Sequence, residues 1–384
     1  MRYNLVDNTL TIFFEGELNS NNANQIEIEI EDIISKNKFE KLVLDFENLT
    51  YISSAGLRVV LKLKKRFTNF TIQQVNLEVY DILSMTGFVD IMDIKKALHK
   101  VDVTGCEIIG EGYFSTVYRI NKDTIIKVFK KNSDIQDVER ELNLAKQAFI
   151  LGIPTAISFD VVKVGDKLGV RFEMLNSVSL RDMFKNYPEK FEELVKKYAE
   201  LLVTINTTEA KETQLPKTKD IWLEKVEYTK EHLKESEYKK CKSLIQSIPE
   251  RNTFVHGDCH VKNILTQGDE LLLIDMDTLS KGHPIFELAG IYATYIAFNE
   301  SDPCNSERFL GLSTKMASDI FYNVLNYYFE KCSDDYIDKI KIVSYIHMIW
   351  WNIVNEPENN VRLESCKARL LELIDKYDNL DIGK

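Results

Sequence analysis

Hydrophobic and polar positions along residues 1–100 switch repeatedly between two periods. The run TLTIFF at 9–14 reads as a strand, while Ile26, Ile30, Ile33 and Ile34 stand at spacings that predict a helix over 24–34. The segment KLVLDF at 41–46 predicts a buried strand, and Leu57, Val60, Leu61 and Leu63 mark a helix over 54–67. A further strand is expected at 70–75 and a further helix at 78–85. Strands separated by helices of this length predict a small α/β sheet with helix-covered faces.

The rhythm changes beyond residue 104. Short strands are predicted at 106–109, 115–120 and 124–129, with Asn121-Lys122-Asp123 turning the last two into a hairpin. Ser133 is the candidate N-cap of a helix over 133–149. Strands at 157–164 and 167–174 form another hairpin around Gly165-Asp166. The sum is a five-stranded antiparallel sheet with one helix inserted after its third strand. From 179 onward helices dominate, at 189–208, 219–233, 307–331, 335–355 and 361–377. Two short apolar strands, 253–255 and 270–274, interrupt them, and each leads into a polar cluster. Strand ends that present polar side chains are where sites form. The expected organisation is a domain over 1–100, a sheet-rich lobe over 101–178 and a helical lobe over 179–384.

Composition narrows the function classes. A chain of 384 residues with 44% hydrophobic and 28% charged residues is globular and long enough for two or three cores. A net charge of −11 weighs against a nucleic-acid partner. Six cysteines without a C-x-x-C pair argue against a disulfide framework and a zinc site, so reduced thiols are expected. The N-terminus has no basic segment followed by a long apolar stretch, and the longest uncharged run, 342–355, falls short of the ~18–20 residues that span a bilayer. The expectation is a cytoplasmic protein with no membrane contact.

Four segments carry the parts of an ATP-dependent phosphoryl-transfer site. Gly110-Glu111-Gly112-Tyr113-Phe114-Ser115 joins two strands, and its glycines permit close backbone approach to phosphate oxygens; an ordinary hairpin turn is the plain alternative. Lys127 lies inside an apolar strand and needs an anionic partner, for which Glu141 on the next helix is placed; a lysine snorkelling from an edge strand is the alternative. His256-Gly257-Asp258-Cys259-His260-Val261-Lys262-Asn263 follows a strand directly. An Asp that accepts a hydroxyl proton, with an Asn five positions on that binds Mg²⁺, is kinase catalytic-loop logic. Asp275 ends the apolar strand Leu273-Ile274 and is placed for a phosphate-bridging Mg²⁺, while Asp277 either joins a second metal site or caps the next turn. The order of these parts, more than any single one, carries the assignment.

On these motifs, residues 105–384 resemble the aminoglycoside phosphotransferase/choline kinase group, which shares the eukaryotic-like kinase fold. HGDCHVKN resembles that group's HGDxHxxN loop, and LLIDMD its metal-binding strand end. The resemblance implies Asp258 as catalytic base, Asn263 and Asp275 as Mg²⁺ ligands, Lys127 as the phosphate lysine with Glu141 as its partner, and ATP binding at Gly110, Gly112 and Ser115. It makes Phe172, Glu173, Met174 and Leu175 the hinge whose backbone meets adenine. Glu287-Leu288-Ala289 stands where the group often carries Asp-Leu-Ala, and Asn206 where it often carries His; both positions look structural. Only 278–283 separates Asp277 from Pro284, and no Asp-Phe-Gly or Ala-Pro-Glu occurs, so a small hydroxyl substrate is favoured over a protein. Tyr322, Tyr327, Tyr328, Tyr345, Trp350 and Trp351 could form an aromatic cage for an ammonium group, with helix packing the favoured alternative.

Residues 1–100 carry Tyr51-Ile52-Ser53-Ser54-Ala55-Gly56-Leu57, a turn in which Ser53 or Ser54 can cap the following helix. FEGELNSNNANQIE and LDFENLTYISSAGLRVVLKLKK resemble a STAS domain, as in anti-sigma factor antagonists. The resemblance implies Ser54 as a regulatory phosphorylation site and a protein partner for this domain. Lys62, Lys64, Lys65 and Arg66 read as a solvated face, with a docking patch the alternative. The fold class expected is thus an α/β STAS domain plus an α+β bilobal protein-kinase-like domain, with an antiparallel five-stranded N-lobe and a mainly helical C-lobe. The expected function is Mg-ATP-dependent phosphoryl transfer to a small-molecule hydroxyl, the STAS domain serving regulation or docking. The alternative is a signalling kinase that phosphorylates a STAS serine, its own Ser54 or a partner's.

Overall fold

The computed structural model describes residues 1–112, 115–130, 133–210 and 215–383. The chain divides into two compact units, Met1–Asp102 and Val103–Lys384.

In the first unit a five-stranded sheet runs β1 (Arg2–Val6), β2 (Thr9–Leu18), β3 (Lys41–Ile52), β4 (Phe70–Val75) and β5 (Asp93–Lys96) in spatial order. The β1–β2 pair is antiparallel and the other pairs are parallel. The near-continuous apolar runs of β2 and β3 fit this, because a parallel strand is covered on both faces; Leu10, Ile12, Leu42, Leu44 and Phe46 are fully buried. Helices α1 (Ala23–Lys36), α2 (Ser54–Arg66) and α3 (Leu77–Met85) supply the cover. Strand β1 has no reading in the sequence because all five of its residues are exposed. On the outer side of α2, Lys62 and Arg66 pair with Glu27 and Glu31 of α1, both at 2.6 Å.

The second unit begins with five antiparallel strands in the spatial order Ser158–Val164, Lys167–Glu173, Thr124–Phe129, Ser115–Arg119, Glu107–Glu111. Helix Ile135–Ile150 is inserted after the third strand in sequence. Its N-cap is Asp134, whose carboxylate accepts the Gln136 N–H, and not Ser133. A carboxylate one residue closer to the first turn wins that role. Helices follow from Leu180 to Ile374 around a core that includes Tyr198, Phe254, Phe286, Tyr292, Tyr295 and Phe321. The single helix expected over 307–331 is two, Asn305–Phe309 and Thr314–Tyr328. Gly311 takes a left-handed φ of 69°, and Ser313 caps the second helix by accepting the Met316 N–H. Helix Glu235–Ser247 is an addition to the expected set: it buries Tyr238, Cys241, Leu244 and Ile245 on one face of an otherwise polar segment. All six cysteines are free thiols, and no helix among the described residues is long and apolar enough to cross a membrane.

Candidate active site

Strand Thr124–Phe129 alternates: Ile126 and Val128 enter the core, so Lys127 projects from the other face. Its Nζ lies 2.7 Å from Glu141 Oε1 and 2.7 Å from Asp275 Oδ1, joining the sheet, the inserted helix and the helical lobe. Burial alone would depress this ammonium; the Asp275 and Glu141 carboxylates overcome it and hold the pKa above the ordinary lysine value. Burial pushes Glu141 upward, against the pull of Lys127. Lys127 is thus a fixed cation in a pocket, not a snorkelling edge residue.

The HGD loop leaves strand Thr253–Val255 through Gly257, whose φ is +86°. A Cβ there would also lie 3.1 Å from the Thr278 carbonyl oxygen, so the turn needs glycine twice over. His256 is fully buried: Nε2 faces the Ile274 carbonyl at 3.2 Å and Nδ1 accepts the Asp258 N–H at 3.3 Å. These partners assign a neutral ring protonated at Nε2, in keeping with the downward shift that burial imposes. His256 is therefore a brace between the two polar clusters. Asn263 Nδ2 donates to both the Asp258 carbonyl and Asp258 Oδ2 at 3.0 Å, and the Ile274 N–H returns to the Asn263 carbonyl at 2.9 Å.

Asp258 keeps 46% of its side chain exposed within crowded walls. Burial pushes its pKa up to about 6, with Asp275 adding to the rise and His256 and Asn263 opposing it. Asp275 sits at φ 69°, a left-handed conformation that Asp tolerates better than most side chains, and it turns the carboxylate toward Lys127. Burial, then the Asp275 charge, pushes Asp277 up to about 7.

The structure therefore brings Lys127, Glu141, Asp258, Asn263 and Asp275 into one connected network. For a divalent cation the donors suit a hard ion: Asn263 Oδ1 and the second Asp275 oxygen are oxygens that the Nδ2 and Lys127 contacts leave uncommitted. Among the described residues no group of three or more His, Cys, Asp and Glu converges as a metal cage.

Other expected residues are placed as follows. Gly110 lies in strand Glu107–Glu111, and the Gly112 N–H donates to the Ser115 carbonyl at 2.9 Å; a Cβ at either glycine would meet only ordinary contacts, leaving room above the backbone. Tyr113 and Phe114 lie outside the described residues. At the hinge the Glu173 N–H pairs with the Ile157 carbonyl and the Met174 N–H with the Asp123 carbonyl, both at 2.9 Å, so neither amide is free for a ligand. Leu175 is buried with Ala156 and Leu272. Tyr328 and Tyr345 are core residues while Tyr322 and Tyr327 are exposed, and the six late aromatic residues do not converge into a cage. In the first unit Ser53 is the N-cap of α2, and Ser54 is its exposed first residue.

Of the loop's supports, the sequence marks Glu287 and Asn206 as structural without saying what they hold, and passes over Tyr198 and Tyr295. Glu287, 1% exposed, accepts the His256 N–H at 2.5 Å and the Gly257 N–H at 3.2 Å. Burial pushes its pKa up to about 7, against those backbone donors. Tyr198 donates to the Cys259 carbonyl at 2.5 Å, and Tyr295 OH accepts the Val261 N–H at 3.0 Å. Tyr295 stands in a π-helical turn, Ala293–Ala297, of a kind often found near functional sites. Asn206 bridges the Phe254 carbonyl and the Tyr328 hydroxyl. The structural roles expected for Glu287 and Asn206 are thus specific: both hold the backbone that carries Asp258. The signal available was a charged or amide residue inside an apolar helical run.

Comparison with known proteins adds lineage. A STAS domain model matches residues 2–101. A protein from Bordetella bronchiseptica named as an anti-sigma factor antagonist is 36% identical over 93 residues, covering 23% of this chain and 79% of the relative. An anti-sigma F factor antagonist of Paenibacillus polymyxa is 27% identical over 89 residues, covering 22% and 76%. Similar solved structures include an ADP-bound aminoglycoside phosphotransferase at 16% identity and TM-score 0.46, covering 72% of this chain and 94% of that one. A choline/ethanolamine kinase family protein from Mesorhizobium loti has 13% identity and TM-score 0.46, covering 72% and 94%. The model of the phosphotransferase enzyme family matches residues 105–317, more than half of the chain. The chain belongs to that phosphotransferase enzyme family and carries a STAS domain ahead of its catalytic unit.

Proposed function

We propose that this phosphotransferase moves the γ-phosphoryl group of ATP to the hydroxyl of a small molecule. The observation that carries this is the network in which Lys127 is held between Glu141 and Asp275 while Asp258 and Asn263 share one loop. Lys127 offers a fixed positive charge for phosphate oxygens. Asp258 accepts the hydroxyl proton as the substrate oxygen bonds to the γ-phosphorus, and the bond from that phosphorus to the β,γ-bridging oxygen breaks to release ADP. Asn263 and Asp275 would hold Mg²⁺, which neutralises charge on the phosphates when bound. The short 278–283 connection supports a small acceptor, since it leaves little chain for a peptide platform.

A second reading concerns the STAS domain, as a regulatory or docking module. Ser54 is exposed at the first position of α2, where backbone N–H groups favour a phosphate, and the relatives of this domain are named as anti-sigma factor antagonists. A kinase acting on a STAS serine fits that observation. One experiment separates the two: full-length protein with Mg²⁺ and γ-labelled ATP, incubated with hydroxyl-bearing small molecules and followed by intact mass. Label in a small molecule supports the metabolite reading; label only on protein, lost in Ser54→Ala, supports the signalling reading. Turnover that survives Asp258→Ala in full would overturn both.

A further inference from the structure

The two lysines nearest the network around Asp258, Lys127 and Lys262, stand in different surroundings. Lys262, on the same loop, makes no ion pair among the described residues; its Nζ lies over the Phe309 ring, 4.7 Å from the centroid. Phe309 is 44% exposed and also takes the edge of His260 at 5.2 Å, and His260 Nε2 lies 3.5 Å from Asp258 Oδ1. Asp258 and Lys262 are partly exposed and Phe309 is exposed, while His260, 4% exposed, is the buried link between Asp258 and Phe309. The charge of Arg181, the nearest neighbour in sequence of Asp182, is taken by a bidentate pair with that residue at 2.9 and 3.0 Å. Lys262 is left as a half-buried ammonium beside the base, with an aromatic wall and no carboxylate partner of its own. Lys127, by contrast, holds two carboxylates at 2.7 Å.

We infer that the phosphoryl acceptor carries an anionic group, a carboxylate or phosphate, which pairs with Lys262 while its hydroxyl meets Asp258. This deepens the small-molecule reading and rests on it. A partly desolvated cation with no carboxylate in contact, only the Asp258 charge through space, carries a cost that an anionic ligand reduces. The same cation repels a polyamine at the mouth of the site, so cationic amino alcohols and aminoglycosides are poor acceptors here.

The test uses the full-length chain, Mg²⁺ and γ-labelled ATP with three acceptors of matched skeleton: glycerate, glycerol and 3-amino-1,2-propanediol. The expected order of kcat/KM is anion, neutral, cation. Lys262→Glu should lower kcat/KM for glycerate about 10- to 100-fold, chiefly through KM, and raise it for the amine; Lys262→Arg should keep the wild-type order. An order led by the amine, or one that Lys262→Glu leaves unchanged, overturns the inference. An equal fall in kcat for all three also overturns it, because that marks a lysine acting on the transferred phosphoryl group.

A second measurement needs no turnover. Pyridoxal 5′-phosphate, an anionic aldehyde, condenses with an amine to an imine and water, and added borohydride reduces the imine to a stable secondary amine. Peptide mapping should find Lys262 labelled ahead of the exposed Lys36 and Lys65, with glycerate protecting it. Labelling no faster than at those surface lysines refutes an anion site. If no acceptor is labelled and ATP hydrolysis is the same in Asp258→Ala, the phosphotransfer reading itself fails, and that result is distinct from an amine-first order.

Discussion

Replacing Glu287 tests whether the catalytic loop is held by its backbone. The Glu287 carboxylate is buried and receives two main-chain N–H groups, from His256 and Gly257. Glu287→Ala leaves both donors without a partner, at about 1–3 kcal/mol each, so the expected loss is about 2–6 kcal/mol. Glu287→Gln keeps one acceptor oxygen and should cost about 1 kcal/mol near pH 5. The pH dependence carries a sign. Burial raises the folded-state pKa of Glu287 from 4.5 to about 7, so the folded protein binds the extra proton and stability is highest below the ordinary value. That contribution disappears as pH rises through about 7, and at ~1.4 kcal/mol per unit it amounts to about 3 kcal/mol. Neither variant titrates there, so relative to the wild type each should gain about 2.5 kcal/mol between pH 5 and pH 8: the Ala deficit shrinks, and the Gln deficit turns into a surplus of about 1–2 kcal/mol. Urea unfolding followed by tryptophan emission is a clean assay, because Trp222, Trp350 and Trp351 all lie in the second unit. A deficit that stays constant with pH, or widens, would show an ionised carboxylate stabilised by its donors and would refute the reasoning.

Three further outcomes are expected. Gly56→Ala places a Cβ 2.6 Å from the Leu18 carbonyl oxygen and side chain, and should lower the stability of the STAS unit by about 1–3 kcal/mol, seen by calorimetry as a shift confined to one transition. Ser53→Ala removes the N-cap of α2 and should cost about 1 kcal/mol, whereas Ser54→Ala should cost less; equal losses in urea titrations would contradict the assigned cap. With a base held at a pKa of about 6, kcat/KM should rise with pH through that value and then level off, since Asp258 must be ionised to accept a proton; a profile flat from pH 5 to 8 would remove it from that role.

Local patterning exposed most of the fold, and its failures have local causes. Parallel strands β3 and β4 were legible because their apolar runs are covered on both faces, while β1 hid because none of its side chains is buried. The break at Gly311 was lost within a helical period that continues on both sides of it. In the site, Lys127 and the HGD loop stood out as polar residues inside or just after apolar strands. Of the residues that hold them, Glu287 stood out only as a structural position, and Tyr198 and Tyr295 not at all. Glu287, Tyr198 and Tyr295 act on main-chain groups far away in sequence, and a bond from a side chain to a distant backbone leaves no periodic trace. The bonding within the 172–175 segment was equally invisible: the Met174 amide is taken by the Asp123 carbonyl, a pairing that only the folded sheet reveals.

The clamping of the loop through main-chain atoms has an evolutionary consequence. Glu287, Tyr198 and Tyr295 bind N–H and C=O groups that any residue would supply, so the loop's course does not depend on the side chain at position 262. Substitution there can redirect the choice of acceptor without unsettling the fold that keeps Asp258 in position. A lineage with this arrangement can try new substrates one residue at a time, and its divergence should be recorded in the loop while its supports stay the same.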